Sequence, residues 1–202
     1  MRKFLLMFTG IVHKGKVVAL KSTKDGIEIE IVSSNKLPKL KNGESIAIDG
    51  ACLSMIQQKR NTVSFFVSPE SLDKTIIGQY KKGSVVNMEL PLSKQDFLGG
   101  HYVLGHVDSI SQVKKVKTLE EVWFIEINLP KQFAQYVVYK GSIAVNGVSL
   151  TVNKVNKSSF ELCIIPVTLQ KSNMPTLKKG SSVNLEFDIL AKYTERILKK
   201  GK

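Results

Sequence analysis

The stretch "SIAIDGACLS" at residues 45–54 returns almost unchanged as "SIAVNGVSLT" at residues 142–151. The central glycines of the two copies, Gly50 and Gly147, lie 97 residues apart. Two further blocks repeat at the same spacing: "SPESLDK" (68–74) with "IPVTLQK" (165–171), and "KKGSVVNMEL" (81–90) with "KKGSSVNLEF" (178–187). A unit this long exceeds the ~20–50 residues of a solenoid repeat, so the chain is interpreted as two copies of one domain.

Each copy contains six short apolar segments that are bounded by Gly, Asn, Asp or Lys. They run from "KGKVVAL" to "SVVNMEL" in the first copy and from "SISQVKKV" to "SVNLEF" in the second. Short alternating segments separated by turn residues are typical of antiparallel strands. Because closure removes the exposed edges of a sheet, the pattern predicts an all-β fold of two tandem six-stranded antiparallel barrels.

Three segments break this pattern and are predicted to be helical. Residues 129–139, "LPKQFAQYVVY", predict one short helix that begins near Pro130, and residues 35–43 are its counterpart in the first copy. Residues 188–200 predict a C-terminal helix with Asp188 as its N-cap. One face of this helix is apolar, and we expect it to pack against another subunit rather than fold back on a barrel; it carries Leu190, Tyr193, Thr194, Ile197 and Leu198.

Composition restricts the class of protein. Of 202 residues, 43% are hydrophobic, yet no apolar run approaches the ~18 residues of a membrane helix. The opening "MRKFLLM" is too short for a secretory signal, so a cytoplasmic protein is predicted. Cys52 and Cys163 do not form the dense cysteine framework of a secreted domain. The three histidines have no partners at metal-ligand spacing, which predicts no metal site.

The net charge of +13 raises nucleic acid as a partner. Only three arginines occur, however, at Arg2, Arg60 and Arg196, and the lysines are scattered along the whole chain. Base recognition depends on the bidentate guanidinium group, so the charge is interpreted as a solvated surface and no nucleic-acid partner is expected.

Small polar side chains recur at equivalent places in the two copies. Cys52 and Ser54 alternate along one predicted strand, as Ser149 and Thr151 do along the other, so each pair shares a face. Facing inward, these groups would only satisfy backbone atoms; facing the barrel mouth, they could bind a polar heterocycle. The spacing leaves both readings open. Ser71 and Thr168 add a third small polar group to each copy.

Six motifs together resemble the riboflavin synthase family, of the alpha-chain type with two lumazine-binding repeats. They are "MFTGIV", "SIAIDGACLS", "GGHYVLGHVDS", "KGSIAVNGVSLTV", "IPVTLQKSN" and "VNLEFDILAKYTER". The resemblance implies Greek-key barrels over residues 1–97 and 98–187, with residues 1–6 as an extension, and a trimerisation helix with a basic tail over 188–202. It also implies a homotrimer whose active site lies between the barrels of neighbouring subunits.

The activity that the resemblance implies is a cofactor-independent dismutation of two molecules of 6,7-dimethyl-8-ribityllumazine. One donates a four-carbon unit to the other, and the products are riboflavin and 5-amino-6-ribitylaminouracil. The alternative is a carrier that binds lumazine or flavin without turnover. No membrane partner is expected, and lumazine synthase is an expected associate.

The family's ligand contacts map onto two sets of positions. The pocket of the first barrel is expected to use Gly10, Ile11, Val12, Cys52, Leu53, Ser54, Phe66, Val67, Ser68, Pro69, Glu70 and Ser71. The pocket of the second is expected to use Gly105, His106, Val107, Lys140, Ser149, Leu150, Thr151, Ile165, Pro166, Val167, Thr168, Leu169 and Gln170.

In a reaction between two identical substrates, residues that differ between the copies are expected to determine which substrate is the donor and which is the acceptor. The predicted catalytic set is Cys52, Ser149, His106 and Lys140. At the constant offset, Thr9 is aligned with His106, and Gly43 is aligned with Lys140. His106 is the candidate for proton transfer because its reference pKa lies nearest neutrality; bracing of the Gly-rich turn is the alternative role.

Overall fold

The computed structural model describes residues 7–93 and 96–200, which form two closed antiparallel barrels of six strands each. The strands of the first barrel are β1 (His13–Thr23), β2 (Gly26–Ser33), β3 (Ser45–Ile48), β4 (Ala51–Lys59), β5 (Thr62–Val67) and β6 (Val85–Glu89). Those of the second are β7 (Ser109–Thr118), β8 (Trp123–Asn128), β9 (Ser142–Val145), β10 (Val148–Val155), β11 (Ser159–Ile164) and β12 (Ser182–Phe187).

Both barrels have the same topology. The hydrogen-bonded order is β1-β2-β5-β4-β3-β6 in the first barrel, and β6 pairs with β1 to close it. The second barrel follows the order β7-β8-β11-β10-β9-β12, with β12 paired to β7. In each, the third strand lies beside the sixth rather than beside the second, which is a Greek-key connection. The predicted fold, a tandem duplication of six-stranded barrels, is confirmed.

Alternating burial along each strand builds a separate core inside each barrel. On β4, Ala51, Leu53 and Met55 are buried, while the residues between them point outward. Complete burial of one such aliphatic or aromatic side chain contributes about 1.5–3 kcal/mol. Equivalent bulges interrupt β1 after Val17 and β7 after Val113, and bulges of this kind bend strands so that a barrel can close.

Short helices connect the strands. α1 (Pro69–Lys74) follows β5 and α2 (Pro166–Lys171) follows β11 at equivalent positions, each with proline in its first turn. The helix predicted over 129–139 is present as a shorter 3-10 helix, Lys131–Tyr136.

The helical counterpart predicted over residues 35–43 is wrong, because this segment has no helix. Its backbone is bound by side chains of the β4–β5 hairpin instead: Leu37 N–H donates to Asn61 over 3.1 Å, and Leu40 N–H donates to Gln58 over 2.9 Å. Both leucines are buried in the core of the first barrel. The segment between them contains Pro38, which has no N–H to give to a helix.

The C-terminal helix α3 (Ile189–Lys200) has the predicted N-cap, with Leu190 N–H donating to the Asp188 carboxylate over 2.9 Å. An ion pair of 2.6 Å between Lys192 and Asp108 attaches it to the second barrel. The predicted apolar face is exposed in the single chain, at 59–69% for Leu190, Tyr193, Ile197 and Leu198. Within 7–93 and 96–200, no helix is long and apolar enough to cross a membrane.

The segments that precede the two barrels cross each other. Phe8 N–H donates to the Val103 carbonyl over 2.8 Å, and Val103 N–H donates back over 3.2 Å. Beyond this contact, Val12 is buried in the core of the second barrel and Val107 packs on the core of the first. Each barrel is therefore completed by the segment that leads into the other.

The domain limits at residues 97 and 188 remain predictions, because the crossing segments belong by contact to the opposite barrel. The predicted extension at residues 1–6 and the last two residues of the predicted basic tail lie outside the described part of the chain.

A buried polar network joins the barrels at the seam where the two Gly turns meet. At its centre, Asp49 is 1% exposed and accepts hydrogen bonds from the Tyr80 hydroxyl (2.5 Å), the Asn87 N–H (2.7 Å) and the Asn173 amide (2.9 Å). The equivalent position in the second copy is Asn146. All three donors are uncharged, and burial raises the pKa of Asp49 to about 7.

Replacement of Asp49 by asparagine should remove a pH-dependent loss of stability. Below the unfolded-state pKa of 3.8 the carboxyl is neutral in both states and its burial has little effect. Between pH 4 and 7 the unfolded chain loses this proton first, so the free energy of unfolding falls as pH rises, by up to roughly 4 kcal/mol. Above pH 7 this loss stays constant. The stability gained by Asp49→Asn should therefore be larger at pH 8 than at pH 4.

Urea unfolding at the two pH values measures this difference, with the exposed Glu30→Gln as a control. Equal effects of Asp49→Asn at both pH values would contradict the assignment.

Candidate active site

The paired small polar residues lie on the outer face of the barrel wall. On β10, Val148, Leu150 and Val152 point into the core, while Ser149 and Thr151 lie on the opposite face. Cys52 and Ser54 occupy the same face of β4. The reading that placed these groups inside the barrel is therefore excluded. Leu53 and Leu150, predicted as ligand contacts, are 5% and 8% exposed and belong to the cores.

A cavity of about 240 Å³ lies on the outer face of the second barrel, at the start of β10. Six predicted site residues line it: Gly10, Ile11, Val12, Ser149, Val167 and Thr168. Val148, Lys171 and Ser172 complete the lining. The remaining predicted residues of the second set, including Lys140 and His106, are outside this lining.

The assignment of Gly10, Ile11 and Val12 to the pocket of the first barrel is wrong. Ser149 N–H donates to the Gly10 carbonyl over 3.0 Å, which makes this segment a wall of the second-barrel cavity. The assignment of Gly105 to the second barrel is wrong for the same reason, because its carbonyl accepts from Cys52 N–H over 2.8 Å. The cause is the crossing of the leading segments.

The predicted alignment of Thr9 with His106 is also wrong. Gly10 and Gly105 share a φ of +79° and make equivalent contacts, so Ile11 is the residue equivalent to His106. The offset of 97 holds from the third strand of each barrel onward, but the first two strands are offset by 96, since the Val17–Ile31 pair corresponds to the Val113–Ile127 pair. In the leading segment, where Gly10 corresponds to Gly105, the offset is 95.

Both glycines are required by close approach to the opposite barrel. A Cβ atom on Gly10 would lie 2.5 Å from the Ser149 Cβ, and one on Gly105 would lie 2.6 Å from the Cys52 Cβ. Real Cβ atoms do not approach so closely, and the positive φ favours glycine independently.

Ser149 has a histidine partner that the sequence reasoning missed. The His101 Nδ1 atom lies 2.7 Å from the Ser149 hydroxyl, and the ring is 9% exposed. Its Nε2 atom is buried and has no hydrogen-bond partner in the described part of the chain. Burial lowers the pKa of His101, against the opposing charge of Asp188, so the neutral ring dominates at neutral pH. The available signal was the sequence "GGH", in which a Cβ atom on Gly100 would lie 2.8 Å from the Ser149 side chain.

The predicted base, His106, is exposed, and the described chain gives its ring no hydrogen bond. On the first barrel, Cys52 is a free, half-buried thiol beside Gly105. The structure thus pairs Ser149, but not Cys52, with an imidazole.

Lys140 is exposed and lies with its ammonium 5.2 Å from the centre of the Tyr139 ring. Its φ of +63° is left-handed, and its counterpart Gly43 has a φ of +88°. The N–H groups of both residues make the same 2.8 Å bond to the following strand. The left-handed conformation costs backbone energy for lysine but not for glycine. No contact within the fold requires a lysine at this position.

The loop after β5 differs from the loop after β11. The Ser68 hydroxyl caps α1, accepting from Ser71 N–H over 3.2 Å, whereas Ile165 at the equivalent position caps nothing. Thr168 is therefore free to line the cavity. Phe66, Pro69, Glu70, Ile165, Pro166 and Gln170 are exposed, Val67 is buried in the core, and Leu169 packs on the core of the second barrel.

Over the described ranges, no group of three or more His, Cys, Asp or Glu side chains is arranged to hold a metal ion.

Alanine variants of Gly10 and Gly43 should distinguish the effect of the close contact with Ser149 from the effect of backbone strain. Both glycines have a positive φ, so each substitution should cost about 1–2 kcal/mol in backbone energy. Only the Gly10 Cβ meets other atoms, because nothing lies within 4 Å of the equivalent point at Gly43. We expect Gly10→Ala to displace the cavity wall and to weaken, at least tenfold, the binding of the lumazine that the family resemblance implies. Gly43→Ala should leave this affinity unchanged. Equilibrium titration of both variants measures this, and equal affinities would contradict the close contact.

Comparison with known proteins agrees with this architecture. The family described as the lumazine binding domain matches the chain twice, at residues 9–91 and 104–188. Riboflavin synthase from Photobacterium phosphoreum is 38% identical over 194 residues, covering 95% of this chain and 89% of that protein. The riboflavin synthase of Bacillus subtilis is 31% identical, with coverages of 96% and 91%.

Among solved structures, LumP in complex with 6,7-dimethyl-8-(1'-D-ribityl) lumazine is similar with a TM-score of 0.78 and 22% identity. LumP in complex with riboflavin gives a TM-score of 0.81, also at 22% identity. Both matches cover 90% of this chain and 99% of LumP, and they establish the shared fold. With two lumazine-binding repeats and relatives of this identity along nearly its whole length, the chain belongs to the riboflavin synthase family.

Proposed function

We propose that this protein catalyses the riboflavin synthase reaction, in which one molecule of 6,7-dimethyl-8-ribityllumazine transfers a four-carbon unit to a second. The products are riboflavin and 5-amino-6-ribitylaminouracil, and the reaction needs no cofactor. A reaction between two identical molecules requires two sites of similar shape. The duplicated barrels supply them.

The observation that supports catalysis most strongly is the unequal chemistry of these two sites. Ser149 and Cys52 occupy equivalent positions, and each N–H is bonded to the carbonyl of a glycine from a crossing segment. Ser149 alone is bonded to an imidazole, that of His101. A pair of sites that only stored ligand would have no use for this difference, whereas a dismutation must assign different roles to its two substrates.

The His101–Ser149 pair is suited to proton transfer. The first step of the proposed reaction removes a proton from the 7-methyl group of one lumazine. A neutral imidazole that accepts the Ser149 hydroxyl hydrogen makes the serine oxygen a better acceptor for that proton. The His101 ring is 9% exposed, which limits the access of water to its contact with Ser149. Thr168 and Lys171 of the same cavity can bind the polar edge of the ring or the ribityl chain.

The first-barrel site would hold the second lumazine between Cys52 and the Gly105–Val107 segment. Four further predicted residues keep their proposed roles. Ser54 and Thr151 lie on the outer faces of their strands, and Lys140 and His106 are exposed polar groups outside the lining of the second-barrel cavity. Cys52 can donate a hydrogen bond but has no base beside it in the described chain. This site therefore orients its substrate.

A homotrimer formed through α3 is part of the proposal, and it would bring the site of one subunit against that of its neighbour. The exposed apolar face of α3, Leu190, Tyr193, Ile197 and Leu198, supports it. A helix face of this kind is seldom left in water. A cytoplasmic location and association with lumazine synthase are proposed on the family resemblance alone.

Purified protein mixed with the lumazine and no cofactor should form riboflavin, measured by its fluorescence. Ser149→Ala and His101→Ala should each lower the single-turnover rate by roughly 100-fold, because each removes the proton-transfer pair. Lumazine affinity should change little, since a group used in the transition state contributes to rate rather than binding. The double variant should be no slower than either single one.

A matched control is His13→Ala, which breaks a second His–Ser hydrogen bond, 2.9 Å to Ser33, outside the cavity. It should turn over at the normal rate. Tight lumazine binding by the wild type without riboflavin formation would show that the protein is a carrier and overturn the proposal.

Deletion of residues 189–202 should dissociate the trimer while both barrels stay folded, because it removes the exposed apolar face and no strand. Sedimentation of the truncated chain measures the assembly, and circular dichroism checks the barrels. A truncated chain that still sediments as a trimer would exclude α3 as the contact.

A further inference from the structure

Two buried carboxylates outside the second-barrel cavity are unexplained by the proposed chemistry. Glu89 ends β6 and Glu186 lies near the end of β12, at equivalent positions of the duplication. They are 7% and 4% exposed, and burial raises the pKa of both. A buried acid is costly unless several donors satisfy it, so its retention in both copies requires a reason.

Glu89 binds the segment that forms the wall of the second-barrel cavity. One oxygen accepts from the Thr9 N–H over 2.7 Å and from the Thr9 hydroxyl over 2.8 Å. The other accepts from the Gly10 N–H over 2.9 Å. The Gly10 carbonyl in turn accepts from the Ser149 N–H. A carboxylate of the first barrel thus fixes the backbone that contacts Ser149 of the second.

Glu186 makes the reciprocal connection. Its two oxygens accept from the Leu104 N–H over 2.6 Å and from the Gly105 N–H over 3.0 Å. The Gly105 carbonyl accepts from the Cys52 N–H. A carboxylate of the second barrel fixes the backbone that contacts Cys52 of the first.

We propose that Glu89 and Glu186 are positioning residues for the reaction, each holding the wall of the pocket on the opposite barrel. The inference rests on the proposed function for its effect on rate. Neither carboxylate lines the second-barrel cavity, so each acts through the glycine that it orients. A displacement of about 1 Å between reacting groups can slow a reaction roughly 100-fold. A shift of either pocket wall should therefore lower the reaction rate.

The two connections differ in strength. Glu89 accepts three hydrogen bonds, one of them from a hydroxyl, and its pKa is raised by burial against those donors. Glu186 accepts two and lies near the Lys192–Asp108 ion pair that attaches α3. The wall beside Ser149 is therefore the more firmly held.

Glutamine variants test the proposal with little change of shape. An amide has one acceptor oxygen where the carboxylate has two, so Glu89→Gln must point an NH2 group at Thr9 or at Gly10. Combined with Ser149→Ala and with Cys52→Ala, each glutamine variant gives two double-mutant cycles in single-turnover rate. Glu89→Gln should slow the wild type roughly 10- to 100-fold. It should add little to Ser149→Ala, but its full factor should appear on top of Cys52→Ala.

Glu186→Gln should show the reverse pattern. Its effect should be largely absent in the Cys52→Ala background and complete in the Ser149→Ala background. Glu126→Gln is the matched control, because Glu126 also accepts hydrogen bonds from Ser159 and Lys114 yet lies outside the cavity. Factors that multiply independently in all four combinations would show that the carboxylates only stabilise the fold, and would overturn the proposal.

Amide hydrogen exchange tests the same geometry without any activity. Glu89→Gln should speed exchange at the Ser149 N–H and leave Cys52 unchanged, and Glu186→Gln should do the opposite. If the wild type shows no turnover, the proposed function fails while this exchange pattern still decides whether the walls are held from the opposite barrel. Equal acceleration at both sites in both variants would contradict the crossed connection.

Discussion

Two backbone hydrogen bonds between Phe8 and Val103 hold the segments that lead into the barrels in antiparallel contact. The position of both pockets depends on this contact, because each segment then continues to the opposite barrel. Gly10 reaches Ser149 and Gly105 reaches Cys52 only by this crossing. Neither half of the chain therefore forms a complete pocket by itself. One half cannot shift against the other without moving a pocket wall.

On this near-symmetrical frame, a few differences determine what each site can do. Equivalent strands place Cys52 and Ser149 on the outer face of their barrels, and equivalent glycines approach them. The asymmetry lies in the surroundings, where His101 contacts Ser149 and where Thr168 lines a cavity while its counterpart Ser71 is held in a helix cap. Duplication supplies the two pockets that a dismutation needs, and divergence gives them different roles.

The same divergence appears at the seam, where Asp49 faces uncharged donors and its counterpart is Asn146. A charge at this position is costly because Asp49 is 1% exposed and its hydrogen-bond donors are all uncharged. The acid is held by Tyr80 and Asn173, whose equivalents in the other copy are Leu177 and Ile76. Divergence is therefore not confined to the cavities, and the barrel contact has its own unequal chemistry.

The barrel fold could be predicted from the sequence for two reasons. The blocks around Gly50 and Gly147 repeat at one offset, and apolar residues alternate along each strand in the same way as the buried positions do. The helix over residues 35–43 could not be excluded, since Asn61 and Gln58, which bind its backbone, lie about 20 residues away.

The crossing was not predictable from a constant offset, because the offset of 97 between the later strands falls to 96 in the first two strands of each barrel and to 95 at Gly10 and Gly105. His101 and the two glutamates were visible in repeated or Gly-rich motifs. Their partners, however, lie 48 and about 80 residues away in the chain. Contacts of that sequence separation follow from the tertiary structure and not from local pattern.

The most direct test of this account is a crystal structure of the protein with 6,7-dimethyl-8-ribityllumazine. The account predicts one ligand in the second-barrel cavity, between the Gly10–Val12 segment and Ser149, with its 7-methyl group directed toward the serine oxygen. A second ligand is predicted beside Cys52 and Gly105. A ligand held instead at the seam near Asp49, or one that contacts Ser149 without the Gly10–Val12 segment, would contradict the claim that each pocket is completed by the opposite half of the chain.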